Sequence, residues 1–128
     1  MAAVGRRSRK RAAAGEALPA LEAPEERYED PEHGELVLRA VMTPRTRQAY
    51  GRLLEEARAA ATREDVHHRR TEFLFERLAV RWTIGGVPAE GEKALLVRWR
   101  AASPAERAFV REAVRRHCAE WFPDVEAP

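Results

Sequence analysis

Large apolar side chains recur at three- and four-residue intervals from residue 43 to residue 121 and are sparse over the first 33 residues. That spacing marks one face of a helix, so a chain built this way must bury helical stripes against one another. The apolar inventory is thin. Of 57 hydrophobic residues, 24 are alanine and only 33 are larger, which suits one compact layer of elements with little left to wall a deep pocket. The pattern predicts a mainly all-α fold, a small bundle of about four helices with one short extended segment behind an N-terminal arm.

Charge divides that arm. Residues 1–15 hold Arg6, Arg7, Arg9, Lys10 and Arg11 with no acid, whereas residues 16–33 hold seven acids against Arg27 and include Pro19, Pro24 and Pro31. Neither stretch carries enough large apolar side chains to offset the entropy of ordering. The reading is a disordered, charge-segregated arm over 1–33 and a single helical domain over 34–128. The whole chain carries a net charge of +2, too small to define a partner. Arginine supplies 21 of the 23 basic residues; beside the alanine excess this reads as GC-rich codon choice, and it does not by itself point to nucleic acid.

Within the body, Glu35–Val41 hold two interleaved apolar sets and predict the extended segment. Thr43-Pro44 start a helix, with Thr43 as cap and Pro44 in the first turn, and Tyr50, Leu53, Leu54, Ala57 and Ala61 form its stripe. Thr62 to Asp65 signal a second helix, whose stripe runs through Val66, Phe73, Leu74 and Leu78 to about Trp82. Leu78, Val80, Trp82 and Ile84 also alternate, so a strand over 78–84 is the alternative. Gly85-Gly86 and Pro88 force a loop. A third helix spans Glu90–Ala102 with Leu95, Leu96 and Trp99 inward. Ser103-Pro104-Ala105-Glu106 combines a cap, a first-turn proline and a capping-box acid. The last helix then repeats through Phe109, Val110, Ala113, Val114, His117, Cys118 and Trp121, and Phe122-Pro123 ends it.

The chemistry-bearing residues do not converge. Neighbours on a helix point about 100° apart, so His67-His68 and His117-Cys118 do not form metal sites. Cys118 lies on an apolar stripe, Ser103 is a cap, and Gly85-Gly86 lacks the features of a phosphate loop. Glu55-Glu56 and Glu64-Asp65 fall on solvated helix surfaces. The expectation is a non-enzymatic protein with no catalytic residues, no cofactor and no metal. No apolar run reaches the length of a membrane span, no secretory signal is visible, and a single cysteine excludes an internal disulfide; cytoplasm is the expected location and no membrane the expected contact.

Two resemblances suggest partners. Thr43 to Tyr50 with Leu53-Leu54 resembles the opening helix of the core-binding domain of tyrosine recombinases. Both tyrosines, Tyr28 and Tyr50, lie upstream of the His67-x-x-Arg70 pattern, so no nucleophile follows. What remains is a small DNA-binding reading, with Arg6, Arg7, Arg9, Lys10, Arg11, Arg45, Arg47 and Arg52 on phosphates. The order of features over most of the body is a Thr-Pro-Arg entry, a helical Phe-Leu-x-Glu-Arg-Leu segment, Val80-Arg81-Trp82 leading to a glycine turn with Pro88, then two short helices. This order is similar to that of the small tail assembly chaperones of tailed phages and prophages. That resemblance implies a helical binder of an aggregation-prone protein, the tail tape-measure protein. From the residues themselves, Trp82 and Trp99 are candidates to flank a partner groove, and Trp121 and Phe122, at the end of the last helix, are partner-binding candidates expected to be partly open.

Overall fold

The stretch Glu25–Asp30 has one large apolar residue among acids, yet its backbone pairs. The structure, a computed structural model, describes residues 24–60 and 63–128, with side chains for all of these except 57–60 and 63. In it the arm read as disordered through residue 33 gives way early to a strand, β1 (Glu25–Asp30). The expectation of disorder over 1–23, the helix-stripe positions Ala57 and Ala61 and the Thr62 cap lie outside the described residues and side chains. Tyr28 is the reason that β1 is held: its ring is buried and its hydroxyl meets His117, 89 positions away. No local composition could signal that.

β1 turns through Pro31–His33 into β2 (Gly34–Arg39), the extended segment expected around residues 35–41. Gly34 is obligatory here: its φ is +91°, and a Cβ would stand 2.0 Å from the Thr83 carbonyl oxygen. The helices α1 (Pro44–Ala60) and α2 (Arg63–Leu78) follow. Thr43 Oγ1 accepts the Thr46 amide at 3.1 Å, the N-terminal cap expected of it. Then comes the main departure. α2 stops at Leu78, and β3 (Ala79–Ile84) and β4 (Val87–Glu90) form a hairpin. Gly85 and Gly86, at φ of 58° and 80°, make its two-residue turn. Then α3 (Glu92–Arg100) and α4 (Pro104–Trp121) close the chain onto the sheet.

The fold is therefore α+β, not an all-α bundle: among the described residues, four helices accompany an antiparallel sheet of order β1-β2-β3-β4, with α2, α3 and α4 against the sheet and α1 against α2. The α1–α2 pair is inserted between its two hairpins. Across the sheet, Tyr28, Leu36, Trp82 and Ala89 stand in register and form the core face. The opposite face alternates out of phase, with Arg27, Val37, Arg81 and Glu90 in register, and is laced by Arg27–Glu35 and Arg81–Glu90 ion pairs. Val37 is buried between the two arginines, whose methylene stems cover apolar surface while their charges stay wet.

Above the core face, Phe75 stacks on Trp99 with centroids 5.3 Å apart and meets Trp82 edge-on at 5.9 Å. Trp82 Nε1 donates to the His33 carbonyl at 2.9 Å, which fixes the first hairpin turn to the second hairpin. His117, from α4, bridges to β1 and to the end of β2. Its Nε2 lies 2.7 Å from the Arg39 carbonyl oxygen, which can only accept, so that nitrogen carries the proton and Nδ1 accepts from the Tyr28 hydroxyl at 2.7 Å. Ser103 caps α4 as expected: its Oγ accepts the Glu106 amide while the Glu106 carboxylate accepts the Ser103 amide.

Candidate partner-binding face

The aromatic residues expected at a partner surface are distributed differently by this arrangement. Trp82 and Trp99 are fully buried and form the centre of the core, and Phe122 is buried as the C-cap of α4. Trp121 is half-buried against the same cluster. The cause for Trp82 is the strand: on β3 it points into the sheet's covered face, whereas a helical continuation of α2 would have carried it along the α2 stripe. Trp99 is held by Phe75 below, His68 at 5.7 Å and the Arg107 guanidinium at 5.1 Å over its ring. Neither indole is free to be a surface contact in this conformation.

The polar residues weighed for chemistry have structural partners. His68 tilts on Trp99, and His117 sits in the Tyr28–Arg39 bridge, where burial holds its imidazole below the ordinary value. Cys118 is buried, and desolvation pushes its thiol up to about 11, so the reactive thiolate is disfavoured. Asp30, Glu32 and His33 lie together on the first hairpin turn. There the Asp30 carboxylate accepts the Glu32 and His33 amides, each at 2.9 Å, and meets His33 Nδ1 at 2.8 Å. These backbone bonds, the Glu32 amide first, lower the Asp30 carboxyl below its usual range. Turn closure accounts for that grouping.

Of the arginines considered for phosphate contact, Arg45 and Arg52 are exposed on α1, and the exposed Glu55 and Glu56 follow Arg52 within a turn. Arg47 is engaged: its guanidinium reaches Asp124 at 2.6 Å and lies over the Phe122 ring. Arg6, Arg7, Arg9, Lys10 and Arg11 lie outside the described residues.

What the structure does open is a cleft of about 250 Å³ where the end of α2 meets the start of β3 and α3. Phe75, Val80, Leu95 and Leu96 supply its apolar lining, and Arg39, Glu76 and Glu92 its charges. Arg39 is fixed there by donating to the Arg77 and Ala79 carbonyls, on either side of the α2–β3 junction. On the side of α3 turned away from the cleft, an uncharged stripe of Ala94, Val97 and the C-cap Ala101, at i, i+3 and i+7, faces outward. Val97 is 63% exposed, and Val87, on the β4 strand against which α3 packs, is 70% exposed. The sequence placed Leu95, Leu96 and Trp99 inward on this helix, and Leu95 and Trp99 are indeed its buried residues. The outward face was the unread half of the same wheel. Its signal was Val97, a β-branched residue off the buried stripe.

The other feature that sequence reasoning missed is Arg70. It is 6% exposed and continues the α2 stripe between Val66 and Leu74. An arginine at an apolar-stripe position was the available sign. Comparison with protein-family models, with curated proteins and with solved structures found no match to this chain.

Among the described residues, no helix is long and apolar enough to cross a membrane.

Proposed function

We propose that this domain is a non-enzymatic, cytoplasmic assembly partner of the tail assembly chaperone kind, which holds an aggregation-prone polypeptide until it is incorporated. The single observation that supports this reading is the cleft between α2 and α3, apolar at its base with charges of both signs around it. A groove of that composition suits one amphipathic helix of a partner, whose apolar face fills the cleft and whose charged edges meet Arg39, Glu76 and Glu92. A tape-measure protein, long and rich in coiled-coil segments, offers many such helices.

The test is co-expression with the large coiled-coil-rich protein encoded beside this one, reading the fraction of that protein that stays soluble. The wild-type domain raises it, and Leu96→Glu, which puts a charge into the half-buried lining of the cleft, abolishes the rise while the chain still melts cooperatively. If the neighbour is equally soluble alone, or if a folded Leu96→Glu protects as well as the wild type, the reading is wrong. The DNA-binding alternative draws little support from α1, where Glu55 and Glu56 follow Arg52 within a turn and Arg47 is paired with Asp124.

A further inference from the structure

After α4 the chain turns at Phe122, where the Val125 amide donates to the Phe122 carbonyl at 2.9 Å, and residues 123–128 lie back across α1, α2 and α4. The hold on this segment is unusual in what it reads. Arg70 Nη2 donates to the Glu126 carbonyl at 3.0 Å and to the Ala127 carbonyl, and its Nε donates to the Tyr50 hydroxyl at 3.3 Å. The Tyr50 hydroxyl in turn donates to the Glu126 carbonyl at 2.6 Å. Arg115 Nε donates to the Pro128 carbonyl at 3.4 Å. All four contacts to the segment address its main chain. Its side chains add shallow ion pairs, among them Asp124 with Arg47 at 2.6 Å and Glu126 with Arg70 at 3.6 Å, and both carboxylates are more than half exposed. Val125 and Ala127 point the other way, against the core.

We infer that the α1–α2–α4 groove is a binding site for an extended polypeptide segment in which acidic and apolar residues alternate, and that residues 123–128 are its built-in competing occupant. Three observations carry this. Recognition through carbonyls is tolerant of sequence, as in strand-like peptide capture, so any extended segment can satisfy the same donors. The alternation Asp124-Val125-Glu126-Ala127 defines the pattern that fits: acids toward Arg47 and Arg70, small apolar groups toward the core. And the occupant is held by a cation: Arg70, 6% exposed with the segment in place, is received by water when the segment leaves and regains two backbone carbonyls only from another extended segment. An arginine where a purely structural stripe would carry leucine therefore lowers the cost of release and suits exchange. This inference is independent of the α2–α3 cleft, which lies elsewhere on the domain.

The experiment uses the full chain and a fluorescein-labelled peptide with the sequence of residues 122–128, with binding followed by fluorescence anisotropy. Asp124→Lys with Glu126→Lys reverses both ion pairs and loosens the resident segment. If that segment occupies the groove 90–99% of the time in the wild type, the released chain binds the peptide roughly 10- to 100-fold more tightly. Adding Arg70→Lys, which keeps the charge and loses the fork, removes the gained binding. Thermal unfolding by circular dichroism accompanies each variant. A loosened chain that melts cooperatively and binds no more tightly than the wild type overturns the inference. So does a loosened chain that fails to fold, since the segment would then be a fixed part of the core, and so does gained binding that survives Arg70→Lys. A labelled peptide in which lysine replaces both acids should gain nothing; equal binding of that peptide would show charge-blind adhesion and would also overturn it.

Discussion

Replacing Trp99 by alanine distinguishes a core tryptophan from a contact tryptophan, and the structure fixes the size of the effect. The ring is buried between Phe75 at 5.3 Å and His68 at 5.7 Å, with the Arg107 guanidinium at 5.1 Å over its face. Truncation leaves a cavity among groups that cannot all collapse, at a cost of about 3–5 kcal/mol. The Phe75 stacking and Arg107 contacts lie within that figure, because energies measured by truncation do not add. A domain of this size is stable by about 5–15 kcal/mol, so this one change removes a large fraction. At about 4–8 °C per kcal/mol the melting temperature falls by at least about 12 °C. Val97, two positions earlier on the same helix, is 63% exposed. Val97→Ala loses little buried surface and gains slightly in helix propensity, so its effect stays within about 0.5 kcal/mol. The assay is urea unfolding followed by far-ultraviolet circular dichroism, which avoids the fluorescence change of removing an indole. The comparison requires equal denaturant slopes. If Trp99→Ala costs under about 1 kcal/mol, or no more than Val97→Ala, the core described above is wrong.

Two further perturbations test the local devices. Ser103→Ala removes half of the reciprocal cap at α4 and should lower stability by about 1 kcal/mol in the same urea assay; the Ser103 amide lowers the Glu106 carboxyl, so the other half weakens as pH falls into the carboxylate range, and a cap effect identical at pH 7 and pH 3 would contradict that coupling. His117 sets an acid limit: burial lowers its folded-state pKa below the ordinary 6.5, so an unfolded chain takes up a proton that the folded chain refuses. Its contribution is fully present above about pH 6.5 and is lost as the pH falls through the lowered value, with a slope of at most about 1.4 kcal/mol per pH unit. Melting temperatures from pH 8 to pH 5 should fall more steeply for the wild type than for His117→Gln, and parallel curves would show that another group governs the acid loss.

How far the sequence could be read depended on the distance over which each element is decided. The α4 start was fully legible, because Ser103, Pro104 and Glu106 satisfy one another within a single turn. The α1 start at Thr43-Pro44 was legible for the same reason, as was the glycine turn, where only φ above zero closes a two-residue hairpin. The sheet was not. Leu78 and Trp82 are four apart and also an even number apart, so they satisfy a helical stripe and a strand face equally. What decides between them is β2, with Leu36 facing Trp82 across a ladder more than forty residues apart in the chain. β1 is harder still, since its composition argues against order and distant partners, Tyr28 meeting His117 and the β2 ladder among them, hold it in place.

The candidate surfaces divide along the same line. Charge balance, the capped helices and the scattering of reactive residues were determined by the sequence alone, because each follows from neighbours within a turn or from composition. Which tryptophans are inside, where a cleft opens between α2 and α3, and where Arg70 finds its acceptors were decided only by the tertiary structure. Trp82 is buried because a strand, not a helix, carries it. Arg70 is tolerable in the interior only because carbonyls 56 and 57 positions later fold back onto it. A guanidinium on an apolar stripe is unfavourable until the far end of the chain supplies its partners, and no local rule can supply them.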